Sequence, residues 1–389
     1  MSKIYIAGAL RTPIGGCSQS LKEVSAVSLG ALVIKGLIEK SQIDSRLVDE
    51  VILGNVVSAG LGQNPARQSL AKAGLPLVIP AFTINKVCGS GLKSVILAIQ
   101  AIKSQDADII IAGGTESASG CPYIFARNKK IHDLTRADAS DTLFSDGLWC
   151  KLDNKYMGEI AEYTVKKFNI SRQDQDKYAY NSHQKACKAV ETGLFKDEII
   201  GVPTKPDTVV SFDEKPRRNI SLERLANLPA AFIDKGTVTA GNSSAPADGS
   251  AALIICSEKG LKKAGIEPLA EIIGYSAATK EAKLVFTTAA EAINNCLKKI
   301  DLKASDIDIF EVNEAFSVQA LVTIEQTGLD VSRLNLFGGT LALGHPLGVS
   351  GARGLVTLMN VLKHENKKIG LTSVCLGGGS ALALAIRRL

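Results

Sequence analysis

Residues 85–114 read NKVCGSGLKSVILAIQAIKSQDADIIIAGG, and residues 344–379 read GHPLGVSGARGLVTLMNVLKHENKKIGLTSVCLGGG. In the first stretch Leu92, Val95, Ile96, Ile99 and Ile102 fall at i, i+3, i+4, i+7 and i+10. That is the spacing of one helix face, so a helix is predicted to start just after Cys88. The all-apolar run Ile109 to Ala112 predicts a strand that ends in Gly113-Gly114. The second stretch repeats the plan: Gly348-Val349-Ser350-Gly351 resembles Cys88-Gly89-Ser90-Gly91 and opens a helix through Leu355, Leu358 and Val361. A strand from Gly370 to Val374 then ends in Cys375-Leu376-Gly377-Gly378-Gly379. Ser90 to Gly113 spans 23 positions and Ser350 to Cys375 spans 25, which points to one βαβ-rich unit used twice. The fold class is α/β.

Outward from these stretches, Ile4 to Ala7 is predicted as a short strand, followed by a turn at Pro13-Ile14-Gly15-Gly16. A helix from Val27 to Ser41 carries Leu29, Leu32, Val33 and Leu37 on one face. Val51-Ile52-Leu53 and Asp308 to Val312 are further strands. Residues 120–245 are more charged, less periodic, and hold Pro203, Pro206, Pro216 and Pro229. They are read as an inserted loop domain covering a substrate. The division expected is 1–119 with 246–265 as the first half, 120–245 as the insertion, and 266–389 as the second half.

The 389 residues exceed one simple core, and 46% hydrophobic with 5% aromatic residues at a mean hydropathy of +0.13 implies extensive buried aliphatic surface. Forty-five basic against thirty-nine acidic residues give +6, spread along the chain. That argues against a nucleic-acid partner and suits a small polyanionic ligand if the charge gathers at one cleft. No apolar stretch approaches the ~20 residues of a membrane helix, and the first residues do not read as a signal peptide. The eight cysteines form no CxxC pair, so neither a zinc site nor a disulfide framework is expected. A reducing cytoplasm is the expected compartment.

Four places carry candidate chemistry. Cys88 stands at a strand-to-helix turn, where free N–H groups and the helix dipole favour a thiolate and can hold an oxyanion. His345, in a Gly-His-Pro turn, is of a type to deprotonate a thiol. Cys375 ends a strand and enters a glycine run whose N–H groups offer a second oxyanion site. The repeat places it opposite Cys88. Asn313, after a strand, can hold a water or a carbonyl through its amide. Taken singly, each fragment also fits a structural role: a buried thiol, a capping imidazole, a loop asparagine.

Together they resemble thiolases. Asn85-Lys86-Val87-Cys88-Gly89-Ser90-Gly91, Asn313-Glu314-Ala315-Phe316, Gly344-His345-Pro346 and Cys375-Leu376-Gly377-Gly378-Gly379 look like that family's four signature blocks, in order. Arg11-Thr12-Pro13, Gly113 to Ser117, Met157-Gly158 and Gly236 to Asn242 extend the likeness along the chain. The resemblance implies two βαβαβαββ halves in a five-layered αβαβα arrangement with an inserted loop domain. It implies acyl transfer between coenzyme A thioesters by reversible Claisen condensation, two acetyl-CoA giving acetoacetyl-CoA and CoA through an acetyl-cysteine. Cys88 would be acylated, His345 would activate it, Cys375 would move the α-proton, and Asn313 would hold a water on the enolate oxygen. The N–H groups of Cys88 and Gly377 would form an oxyanion hole. Arg217 and Ser244 match coenzyme A contacts; Ala240, Met157, Ala315 and Phe316 match pocket walls. No cofactor or metal is implied, nor any nucleic-acid or membrane partner, and the assembly implied is a homodimer or homotetramer. Asp141 to Trp149 resembles the short-chain, acetoacetyl-CoA type, whereas Tyr156 stands where that type has His. The alternatives are a degradative 3-ketoacyl-CoA thiolase of broader chain length and a catalytically weak coenzyme A-binding member. Phe337, Thr340, Ser380-Ala381 and Ser243 to Pro246 depart from the family pattern, and the pocket is expected to differ there.

Overall fold

The main strands send alternate side chains into two different hydrophobic cores, which is why they read as unbroken apolar runs. The structure, a computed structural model, describes residues 3–128 and 134–389. Its first half contains β1 (Ile4–Arg11), α1 (Ala26–Ser41), β2 (Glu50–Gly54), α2 (Pro65–Lys72), β3 (Ala81–Ile84), α3 (Ser90–Lys103) and β4 (Ile109–Ser117). After an insertion, β5 (Ala247–Ser257) pairs antiparallel between β1 and β4. The second half contains β6 (Ala270–Thr279), α6 (Val285–Lys299), β7 (Ile309–Val312), α7 (Ser317–Thr327), α8 (Ser350–His364), β8 (Ile369–Leu376) and β9 (Ser380–Arg388). The insertion contributes α4 (Met157–Phe168) and α5 (Arg172–Glu191).

Strand order is β7-β8-β9-β6-β1-β5-β4-β2-β3, and the two half-sheets meet only through Tyr5 opposite Glu271 and Ile6 opposite Ala270. The second half follows the order of the first. Its counterpart of β3 is reduced to a single bridge, Phe310 opposite Leu334.

Side-chain alternation sets the layers. Ile109, Ile111, Ala252 and Ile254 face a core with Val33, Ile34 and Leu37 of α1. Their neighbours Ile110, Ala112, Ala251 and Leu253 face a central core with Leu92, Val95 and Ile96 of α3 and Leu355 and Leu358 of α8. On β9, Leu382, Leu384 and Ile386 face that same centre. Ala381, Ala383 and Ala385 face α6 through Phe286 and Ile293. Helices, sheet, paired central helices, sheet and helices make the five layers expected.

Three local expectations change. β1 runs on from Ala7 to Arg11. β4 passes straight through Gly113-Gly114 to Ser117. The insertion is not only loop, because α5 alone is 20 residues long. Among the described residues no helix is long and apolar enough to cross a membrane.

The central helices touch at their glycines. A Cβ on Gly91 would lie 2.9 Å from the carbonyl oxygen of Gly348 and 3.0 Å from Cβ of Ala352. One on Gly351 would lie 2.7 Å from Cβ of Leu92. The repeated Ser-Gly thus serves one reciprocal contact that brings two helix starts together. Gly91→Ala is expected to lower the unfolding free energy by about 1–3 kcal/mol, the usual cost of overpacking a core. Urea denaturation measures it, and an unchanged midpoint and slope would show that the crossing has slack.

Candidate active site

The turn before α3 is held by its own residues. Asn85 Oδ1 accepts from the N–H of Val87 at 2.9 Å. Ser90 Oγ accepts from the N–H of Lys86 at 2.8 Å and donates to the carbonyl of Val87 at 2.6 Å. Val87 takes φ of +48°, a strained conformation for a β-branched residue. The strain sits one residue before Cys88, where the chain must reverse to present the sulfur. Burial pushes the Cys88 thiol up to about 12, against the pull of the N–H groups of Gly377 and of Cys88 itself. The N–H groups at the helix start do favour the thiolate, but desolvation outweighs them.

His345 reaches the same cavity with one ring nitrogen engaged. Ser350 Oγ donates to the carbonyl of Pro346 at 2.9 Å, which commits its only hydrogen. With that hydrogen so placed, the 2.6 Å contact between Ser350 Oγ and His345 Nδ1 is assigned as Nδ1–H donating. Nε2 is left as the bare nitrogen, buried and without a partner. Burial, and after it the cation of Arg353, hold the imidazolium pKa down at about 3, so the ring is neutral. Ser90 and Ser350 occupy the same position of the repeat. Each ties its helix back to the preceding turn, and in the second half that tie also sets the tautomer of a histidine.

These groups converge. Cys88, His345, Cys375, Gly377, Met157, Ser244, Ala315 and Phe316 line one cavity of ≈ 60 Å³, together with Leu148, Phe286 and Leu347. Burial, with the neighbouring sulfur of Cys88, raises the Cys375 thiol far above its ordinary range. Two neutral thiols and a neutral imidazole therefore share one largely apolar pocket. Asn313 stands outside the cavity lining, at the end of β7, where its N–H donates to the carbonyl of Ser373 at 2.9 Å. Both of its side-chain amide atoms are buried without partners, a place for an ordered water. Among the described residues no cluster of His, Cys, Asp or Glu is placed to hold a metal ion.

Arg217 and Ala240 are in a separate cleft of ≈ 600 Å³. Lys215, Arg217, Arg218 and Arg224 gather on its walls, and no carboxylate lines it. His183 Nδ1 accepts from the N–H of Arg217 at 3.1 Å. Burial, then Arg217 and Lys215, lower that imidazole to about 4, so it too is neutral. One segment separates cleft from cavity: Ser243 and Ala245 line the cleft, Ser244 and Pro246 the cavity. The segment is held by a bridge from Ser243 to Phe316 and one from Pro246 to His345.

Of the departures from the family pattern, that segment lines the cavity itself. Phe337 packs edge-on to Phe195 at 5.7 Å and beside His364 at 5.9 Å. Thr340 Oγ1 accepts from the N–H of Glu314 at 2.8 Å, and Ser380 Oγ meets Thr279 Oγ1 at 2.8 Å. Ala381 lies directly across from Cys375 in the sheet. Tyr156 stacks edge-on against Trp149, with ring centroids 4.6 Å apart.

Sequence reasoning missed three supports. Ser350 was legible only as a repeat of Ser90. Glu116 accepts from the N–H groups of Val56 at 3.0 Å, Val57 at 3.2 Å and Gly348 at 2.8 Å, tying the His345 loop to the first half. Glu314 accepts from Tyr178 Oη at 3.0 Å, Ser182 Oγ at 2.7 Å and Asn335 Nδ2 at 2.7 Å. It was read only as part of a signature block.

A family model described as Thiolase, N-terminal domain matches residues 4–259, and one described as Thiolase, C-terminal domain matches residues 266–388. The chain is 45% identical to an acetyl-CoA acetyltransferase of Escherichia coli, over 100% of both proteins. It is 42% identical, again over 100% of both, to a probable acetyl-CoA acyltransferase of Staphylococcus aureus. The crystal structure of a Bacillus anthracis acetyl-CoA acetyltransferase matches it with a TM-score of 0.96 at 37% identity, covering 100% of this chain and 99% of that one.

Ser350→Ala leaves the buried Nδ1–H of His345 unpaired and so favours the wrong tautomer. Alkylation of Cys88 by iodoacetamide, followed by peptide mass spectrometry, is expected to slow roughly 5- to 150-fold, the equivalent of one stranded buried donor. An unchanged rate would mean that His345 does not act on Cys88.

Proposed function

The chain belongs to the thiolase family, and on that premise we propose that it condenses two acetyl-CoA into acetoacetyl-CoA and CoA, and runs the reverse thiolysis, through an acetyl-Cys88 intermediate. The observation that carries the reading is the convergence of two thiols and an imidazole with a bare Nε2 on one cavity, beside a cationic cleft. The relatives named above as acetyl-CoA acetyltransferases support the same substrate.

His345 Nε2 takes the Cys88 proton as the sulfur attacks the thioester carbonyl. The oxyanion is received by the N–H groups of Cys88 and Gly377. The carbon–sulfur bond to CoA breaks, and the leaving thiolate takes its proton from Cys375, so that Cys375 is left as thiolate and His345 keeps the Cys88 proton as imidazolium. A second acetyl-CoA then enters. The Cys375 thiolate takes its α-proton and is a thiol again, a role that suits a group whose conjugate base is made strong by burial. The enolate oxygen is held by the Nε2–H of the His345 imidazolium and by a water on Asn313. The enolate carbon attacks the acetyl group, the bond to Cys88 breaks, and the Cys88 thiolate takes its proton back from His345. Arg217 and the other cations of the cleft take the phosphates of CoA, and Ser244, Met157, Ala240, Ala315 and Phe316 wall its path. The scheme draws on protein groups alone and calls on no cofactor.

The small volume of the cavity, ≈ 60 Å³ among Leu148, Phe286 and Leu347, favours a short acyl group over the broader-chain alternative. Acetyl-CoA is expected to acetylate Cys88. The kcat/KM for thiolysis should be highest with acetoacetyl-CoA and fall roughly tenfold or more by the six-carbon substrate, since each methylene is worth only about 1–3 kcal/mol. Flat rates out to long chains would move the protein to the degradative class. Absence of acetyl-Cys88 would reduce it to a coenzyme A binder.

The reading extends to the cytoplasm, where a reducing medium keeps Cys88 and Cys375 as thiols, and to a homodimer or homotetramer. β3 ends the sheet with open backbone groups, and Leu77 and Val78 beside it are 62% and 90% exposed. Sedimentation velocity at micromolar concentration should find an oligomer; an active monomer would overturn this.

A further inference from the structure

Arg11-Thr12-Pro13 takes no part in the chemistry above, yet Arg11 is 0% exposed at the end of β1. Its Nη1 and Nη2 donate to the two carboxylate oxygens of Asp213 at 2.7 and 2.8 Å, and its Nε donates to Glu198 Oε1 at 2.5 Å. Asp213 is equally buried, and the guanidinium lies 4.9 Å from the ring centroid of Phe195. Burial alone would depress the charge; the two carboxylates more than offset it, so Arg11 stays a cation.

The turn after Arg11 closes on the same segment. Asp213 Oδ1 accepts from the N–H of Ile14 at 2.8 Å, and Glu214 Oε1 accepts from the N–H of Gly16 at 2.7 Å. Asp213-Glu214 is thus clasped by the chain's N-terminal arm. Stability alone does not call for such a cluster, since apolar residues of equal volume serve as well or better. What a guanidinium fork on a carboxylate adds is a fixed orientation.

What it orients follows directly in sequence. Lys215 and Arg217 line the cationic cleft. Lys215 Cδ comes within 3.0 Å of where a Cβ on Gly344 would stand, next to His345. The segment therefore runs from the Arg11 clasp, past the catalytic loop, into the cleft.

We propose that the Arg11–Asp213 pair is a positioning device for the phosphate-bearing end of coenzyme A. It sets the Lys215 to Arg217 segment against the His345 loop, so that binding of the nucleotide end aligns the thioester on Cys88. This rests on the reading of the cleft as the coenzyme A site. Arg11 and Asp213 are positioning residues and touch no substrate.

The test compares single-turnover acetylation of Cys88 by acetyl-CoA and by acetyl-pantetheine, which lacks the nucleotide. Asp213→Asn keeps the side-chain volume and an acceptor for Ile14 but sets an amide N–H against the guanidinium. It is expected to lower the second-order rate constant for acetyl-CoA about tenfold through weaker binding, with the saturating rate and the acetyl-pantetheine rate held within about twofold. Arg11→Lys, which keeps the buried charge and gives up the fork, should show the same split. Equal losses with both thioesters would make the pair purely structural and overturn the proposal. Arg217→Ala is the control on the cleft itself. If it fails to separate the two thioesters, the cleft reading falls and takes the proposal with it. If it separates them and Asp213→Asn does not, the positioning role alone is wrong.

Discussion

The close approach of two central helix starts organises this molecule. With hydrogen alone at Gly91 and Gly351, α3 and α8 can meet backbone to side chain, and that contact joins the halves through their cores. The sheet seam contributes only two residue pairs and cannot do this by itself. Because Cys88 and His345 lie just ahead of these helices, the crossing that joins the halves also brings together nucleophile and base. Packing and chemistry therefore share one constraint.

Desolvation is the second shaping force, and its sign differs between groups. It raises both thiols and lowers the imidazole, so the resting site carries no charge on any of the three. A neutral, largely apolar site strengthens every dipole that points into it, including the N–H groups at Cys88 and Gly377. Charge is kept apart, in the neighbouring cleft, where Arg217 is exposed and Lys215 half-buried. The two environments are divided by four residues of extended chain, Ser243 to Pro246, which show alternate sides to each.

Much of this was legible in the sequence. The strands are buried on both faces and so appear as unbroken apolar runs, and the helix after Cys88 has a full periodic stripe. The repeat of Ser-Gly at two helix starts announced the duplication. The signature blocks named both thiols, the imidazole, Gly377, Ala315 and Phe316 of the catalytic cavity, whereas Gly147, Met157, Ser244 and Pro246 reach it from outside them. The insertion was harder to read for a definite reason. The buried face of α5 is polar, built of Gln175, Asp176 and Ser182, whose partners Thr237, Asn242 and Glu314 are distant in sequence. A helix that buries polar residues shows no hydrophobic period. β4 was cut short by its glycines for a similar reason. Gly113-Gly114 looks like a turn, but a Cβ on Gly114 would lie 2.1 Å from the carbonyl oxygen of Gly348, so the pair marks close approach and not an end.

The sequence by itself determined the α/β class, the duplicated halves and the identity of the reacting side chains, because periodicity and residue type are local properties of the chain. The tertiary structure alone decided how those side chains stand. Burial and through-space charge set their protonation, Ser350 set the tautomer of His345, and Arg11 met Asp213 across 202 positions. Those are properties of distance and dielectric, which exist only once the chain has closed on itself.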